Sequence, residues 1–257
     1  MSVLRVIILA AVTVLPALAV AAQTAAMPEQ SRPMTDRGPG AAVPPVMDSD
    51  VFAHALFDQL EGRFNGANPE FRWDGQGWIG ADYDKLWIKS EGIFSNGALT
   101  DGQQQFLYDR AVTTYFDLQG GLRSDLDSRP VRNWAAFGIQ GLAPYFFDLE
   151  LTGYVSGEGH LAAKLAASYD LLITQRLILQ PQMEINLYSK ADPARPTGAG
   201  FSDIDTGLRL RYEITRNFAP YLGVVYEGKF GRTANFARQA GESTSDFRFV
   251  LGTRVWF

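Results

Sequence analysis

Polar side chains at every second position are what this chain offers for chemistry. Gln180, Gln182, Glu184 and Asn186 alternate with Leu179, Pro181, Met183 and Ile185. Asp148 and Glu150 alternate with Phe147, Leu149 and Leu151. A period of two places such groups on one face of a strand. Carboxylates with amides beside them give a cation weak, transient ligands, so Asp148, Glu150 and Glu184 are candidate metal ligands. The alternative is that the same carboxylates are the acidic half of an ion-pair network that braces the barrel wall. His54 and His160 are the two histidines, each isolated in sequence. An imidazole is a metal ligand when other donors converge on it, and otherwise a plain surface group. Cysteine is absent. That removes disulfides, thiolate metal sites and thiol catalysis together.

These side chains need elements to carry them, and the chain's 257 residues fit one large domain after a leader. Residues 1–22 hold one positive charge, Arg5, then an apolar run interrupted by Pro16, then Val20-Ala21-Ala22. This is the pattern of a secretory signal peptide with cleavage before Gln23. Residues 23–49 carry Pro28, Pro33, Pro39, Pro44 and Pro45 with no apolar periodicity, the composition of a disordered arm. The net charge of -5 gives nucleic acid no reason to bind. A mean hydropathy near zero argues against a bundle of membrane helices.

Residues 50–257 read as short segments of period two. About twelve of them begin near Val51, Arg72, Lys85, Gln104, Tyr115, Val131, Tyr145, His160, Arg176, Asp203, Phe218 and Ser245. The faces of Phe52 to Arg63 and Gln103 to Val112 stay unassigned, because neither shows a clean alternation. Tight links at Tyr83-Asp84, Thr113-Thr114, Ala143-Pro144, Ile173-Thr174 and Thr215 to Asn217 alternate with longer ones. The longer set comprises Asn65 to Glu70, Asn96 to Gly102, Leu126 to Pro130, Lys190 to Phe201 and Gly231 to Thr244, with Gly157 to Gly159 as its short member. Short turns at one end and longer loops at the other mark an up-and-down antiparallel β-barrel in an outer membrane. Tyr83, Tyr115, Tyr145, Phe146, Phe147, Tyr169 and Phe218 flank the short turns, as an interfacial girdle requires.

The last strand, "FRFVLGTRVWF", fits the same scheme. Phe247, Phe249, Leu251, Val255 and Phe257 face lipid, and Arg248 and Arg254 face the lumen. The lumen then gathers Lys85, Lys89, Glu91, Arg123, Asp125, Lys164, Asp203, Asp205, Arg209, Arg211, Glu213, Glu227 and Lys229 around the three candidate ligands. Such charges must be hydrated or paired. A barrel enzyme, a lipase or protease, would need a base beside a nucleophile. Two isolated histidines do not supply it.

Longer stretches carry a family resemblance. "WDGQGWIGADYDKLWIKSEG", the run from Asn133 to Pro193, "SDIDTGLRLRYEITRNFAPYLGVVYEGKFGRTANFA" and the C-terminal strand resemble the copper resistance protein B family of outer-membrane proteins. The resemblance implies a role in copper homeostasis and resistance, with copper ions bound or passed at the outer membrane. It implies outer-membrane lipid, a periplasmic multicopper oxidase and other copper-handling proteins as partners. The alternative is a small-solute channel or a structural barrel without a copper site of its own. Family members often carry an arm rich in Met and His. Here the arm holds Met27, Met34 and Met47 and no histidine. Thioethers suit Cu(I), so Met27 and Met34 join the candidate ligands.

Overall fold

An alternating strand must show its apolar side to something apolar. In this chain that side is the outside. The structure is a computed structural model that describes residues 51–66, 69–126, 131–193 and 195–257. Phe249 is 72% exposed on the outer wall, while Glu61 and Arg63 are 0% exposed within. The fold is thus inverted relative to a water-soluble protein, and lipid is the surrounding that makes it stable. The segments read as a signal peptide and an arm, with Met27 and Met34, lie outside the described residues.

The strands are β1 (Phe52–Phe64), β2 (Glu70–Gly80), β3 (Asp84–Ser95), β4 (Ala98–Ala111), β5 (Phe116–Asp125), β6 (Arg132–Ala143), β7 (Phe147–Ser156), β8 (Leu161–Ser168), β9 (Leu171–Leu172), β10 (Leu177–Tyr188), β11 (Gly200–Tyr212), β12 (Phe218–Lys229) and β13 (Ser245–Trp256). Each pairs antiparallel with its sequence neighbour, apart from the break described next. β8 and β9 are two pieces of one stave, since both pair with β10. Pro181 of β10 brings no N–H to the ladder there. Tyr169 and Asp170 step out opposite it, with the Tyr169 amide donating to the Pro181 carbonyl at 3.1 Å. Thirteen strands therefore make a closed barrel of twelve staves. β1 pairs with β13 to close it. The Phe257 amide donates to the Ala55 carbonyl at 2.9 Å, and the Ala55 amide donates back at 3.1 Å.

Apart from that of β4, the strand starts lie close to those expected from the period of two, and the tight links expected at one end all fall there. Three local features differ from expectation. The link from Asn96 to Gly102 is not a long loop. β4 begins at Ala98, and Asn96 and Gly97 form a two-residue turn with φ of 51° and 79°. Both central residues lie in the left-handed region that Asn-Gly adopts readily, which is what a type I′ hairpin needs. The link from Gly231 to Thr244 contains a helix, α1 (Gly231–Gln239), whose Thr233, Ala234 and Ala237 are buried. The unassigned first strand has a register shift after Phe57, which breaks the period of two in mid-strand. Beyond it Gln59, Glu61 and Arg63 face inward. In β4 the inward set is Gln103, Gln105, Leu107 and Asp109, with Gln104, Phe106, Tyr108 and Arg110 outward. Neither face of β4 is purely apolar, so no stripe could be read.

Candidate functional site

A belt of ion pairs crosses the lumen. Glu61 accepts from Arg63 Nε at 2.8 Å and from Arg209 Nε and Nη2 at 2.9 and 2.8 Å. The Tyr221 hydroxyl donates to it at 2.9 Å. Arg63 Nη1 reaches Asp205 and Glu227, both at 2.6 Å. Arg72 joins Asp205 at 2.9 Å and Glu184 at 3.1 Å. Lys164 meets Glu91 at 2.7 Å and Glu184 at 3.5 Å. The belt thus ties β1, β2, β3, β8, β10, β11 and β12 together through side chains. Arg and carboxylate are the groups for this: the guanidinium fork serves two or three acceptors at once. Buried charges persist only when so paired.

Two cavities, each of about 510 Å³, lie in the lumen and share no lining residue. The inner one faces the short-turn end. Asp58, Asp74, Glu91, Asp117, Asp148, Glu150, Asp170 and Glu184 line it, against Lys89, Lys164 and Arg254. It is therefore strongly acidic. Asp58 pairs with Arg254 at 3.0 Å, and Asp170 with Arg211 at 2.7 Å. Asp74 and Asp148 have no ion-pair partner among the described residues. The outer cavity is nearly balanced, with Asp101, Asp125, Asp203, Asp205, Glu227 and Glu242 facing Arg72, Arg123, Arg132, Arg195 and Lys229. α1 roofs it through Thr233, Phe236 and Ala237, with its C-cap Ala240. The Gly198 amide donates to Thr233 Oγ1 at 2.8 Å, and Ser202 meets the same hydroxyl at 2.8 Å. Arg195 bonds Asp125 at 2.6 Å, and Arg132 bonds Asp192 at 2.6 Å.

Of the expected ligands, Asp148, Glu150 and Glu184 line the inner cavity together, while His54 and His160 line neither cavity. Glu150 is held by Lys89 at 2.9 Å, and Glu184 by Arg72 and Lys164. Asp148 is exposed at the rim of the inner cavity. His54 lies near the start of β1, its ring centroid 6.1 Å from that of Trp78. His160 closes the opposite, β7–β8 end, where its amide and carbonyl bond Ser156. The two histidines are thus at opposite ends of the barrel. Among the described residues no three His, Cys, Asp or Glu side chains form a group that could hold a metal ion. Most of the expected lumen charges do face inward and pair. Glu213 instead sits past the end of β11, its amide bonded to the Arg176 carbonyl. Glu61, Arg63, Arg72 and Asp74, central to the lumen, were not among the expected residues. The spacing of Gln59, Glu61 and Arg63 by two was the available signal, hidden by the bulge before it.

The comparisons match this geometry. The family model described as copper resistance protein B precursor (CopB) matches residues 51–257. Copper resistance protein B of Escherichia coli is 44% identical over 212 residues, covering 82% of this chain and 72% of that protein. A copper resistance protein B homolog of Pseudomonas syringae pv. tomato is 43% identical over the same length and shares. Among solved structures, the NanC porin superposes with a TM-score of 0.52 at 12% identity, covering 79% of this chain and 98% of that one, a likeness of fold. With its lipid-facing wall and this degree of relatedness, the chain belongs to the copper resistance protein B family of outer-membrane barrels.

Proposed function

We propose that this barrel serves copper homeostasis and resistance by giving copper ions weak, transient carboxylate contacts in the inner cavity, and that it performs no catalysis of its own. The carrying observation is the charge excess of that cavity, where Asp74 and Asp148 form no ion pair among the described residues. An acidic recess concentrates cations at its mouth. Carboxylate and amide oxygens suit Cu(II), while the thioethers of Met27 and Met34 would serve Cu(I). Ligands spread over a cavity hold an ion loosely enough to release it, as passage requires. Copper is cargo here. A periplasmic multicopper oxidase or another copper-handling protein would exchange it at the short-turn end.

A second reading has its own support. The ion-pair belt lies between the cavities, which favours a braced barrel whose copper is held by a partner. Titration of the mature protein with Cu(I) and Cu(II), with and without residues 23–48, separates the readings. Binding that survives removal of the arm and falls several-fold in Asp74→Asn/Asp148→Asn supports the inner cavity. Binding lost with the arm moves the ligands to Met27 and Met34. No binding to either form leaves the braced barrel.

A further inference from the structure

Buried polar atoms normally find partners, and those that do not mark places where water or a ligand belongs. Five neutral ones occur in β3, β4 and β7: Trp87 Nε1, Gln103 Oε1, Gln105 Nε2 and Oε1, and the Tyr154 hydroxyl. Gln105 and Tyr154 are each 1% exposed. Apart from Thr253, the other unpartnered side-chain atoms belong to charged groups that already hold ion pairs.

The position of these five is what gives them meaning. In the ladders Gln105 stands between Lys89 of β3, which lines the inner cavity, and Arg123 of β5, which lines the outer one. Gln103 stands likewise between Glu91 and Asp125. Trp87 packs against the cluster that contains Tyr154 and Trp134. Spare hydrogen-bonding capacity therefore bridges the two cavities beside the belt. The flanking charges are neutralised, Lys89 by Glu150 at 2.9 Å and Arg123 by Asp125 at 2.7 Å. The belt itself offers no such capacity at Glu61, which already accepts from Arg63, Arg209 and Tyr221.

We propose that a file of water molecules joins the two cavities along the β3–β7 wall, with Gln105 at its narrowest point, and that a cation crossing the lumen crosses there. The amide oxygens of Gln103 and Gln105 would replace part of the ion's water shell. The cation half rests on the transit reading above, whereas the water half does not.

The test is osmotic shrinkage of phosphatidylcholine vesicles holding the mature protein, followed by stopped-flow light scattering. Folding of each variant is checked by heat-modifiable gel mobility. Wild-type vesicles should shrink faster than protein-free ones. Gln105→Leu should remove most of that excess, a several-fold loss. Tyr154→Phe, which deletes one hydroxyl, should lower it to a smaller degree. Gln105→Asn, a shorter amide, should keep or raise it. Wild-type vesicles no faster than protein-free ones, or Gln105→Leu and Tyr154→Phe both equal to wild type, would overturn the path. Copper binding on the same samples separates this from the transit reading. A Gln105→Leu barrel that still binds copper but has lost water passage supports the path while leaving the cavity site intact. Wild-type water passage without copper binding supports the path and removes the cation half.

Discussion

At the scale of the residue, pairing decides more than charge. Glu61 is fully buried among Arg63, Arg209 and Tyr221. Glu61→Gln leaves two guanidinium groups short of their carboxylate, and breaking a buried pair costs about 3–5 kcal/mol. Urea unfolding of the micelle-bound barrel should show that loss. Glu242 meets Lys229 at 2.8 Å with side chains 60% and 41% exposed. Glu242→Gln should change the same midpoint by about 1 kcal/mol or less, because water screens an exposed pair. Equal losses in the two variants would mean that the belt is hydrated and does not brace the wall. The candidate ligands follow the same rule. Glu150 and Glu184 are already engaged by cations of the chain, whereas Asp74 and Asp148 form no ion pair among the described residues.

At the scale of the element, local chemistry sets the turns and a bulge sets a face. Gly97 has a φ of 79° and open space where a Cβ would go. Gly97→Ala therefore tests backbone strain alone, and should cost about 1–2 kcal/mol of hairpin stability, read in the same unfolding assay. α1 is the element least visible beforehand, because a short helix roofing a barrel shows only three buried positions, Thr233, Ala234 and Ala237. Thr233→Val removes the acceptor for the Gly198 amide and the partner of Ser202. Trypsin should then cut after Lys190 several-fold faster, while strand content by circular dichroism stays unchanged; Arg195 precedes Pro196 and is not a trypsin site. An unchanged cutting rate would mean that the pair Arg195–Asp125 holds the loop without help from the helix.

At the scale of the whole molecule, closure is the cooperative event. The first strand meets the last through backbone bonds that end at Phe257 and Ala55. Removing Phe257 deletes two of these bonds and an exposed aromatic at the short-turn end. The yield of heat-modifiable, folded barrel should fall several-fold, and a full yield would show that closure does not depend on that residue. The belt makes a further statement about the whole. With two cavities separated by paired charges, single-channel conductance of the wild type should be far below that of a wide porin at the same salt. A porin-sized conductance would mean that the belt opens in a bilayer.

What the sequence determined by itself was everything governed by near neighbours. Side chains alternate every second residue, and turns follow their own few residues. The strand starts other than that of β4, the tight links of one end, the lipid-facing phenylalanines of the last strand and most lumen charges were accordingly legible. The face of β1 was not, since its register shift lies between Phe57 and Gln59 and no local rule announces it. Only the tertiary structure decided which charges meet. Glu61 joins Tyr221 across 160 positions, and Arg63 joins Glu227 across 164. Curling the sheet into a closed barrel brings such distant strands side by side. That closure, and not any spacing in the chain, bound Glu150 and Glu184 to lysine and arginine, parted His54 from His160, and left the unpaired carboxylates together at one end.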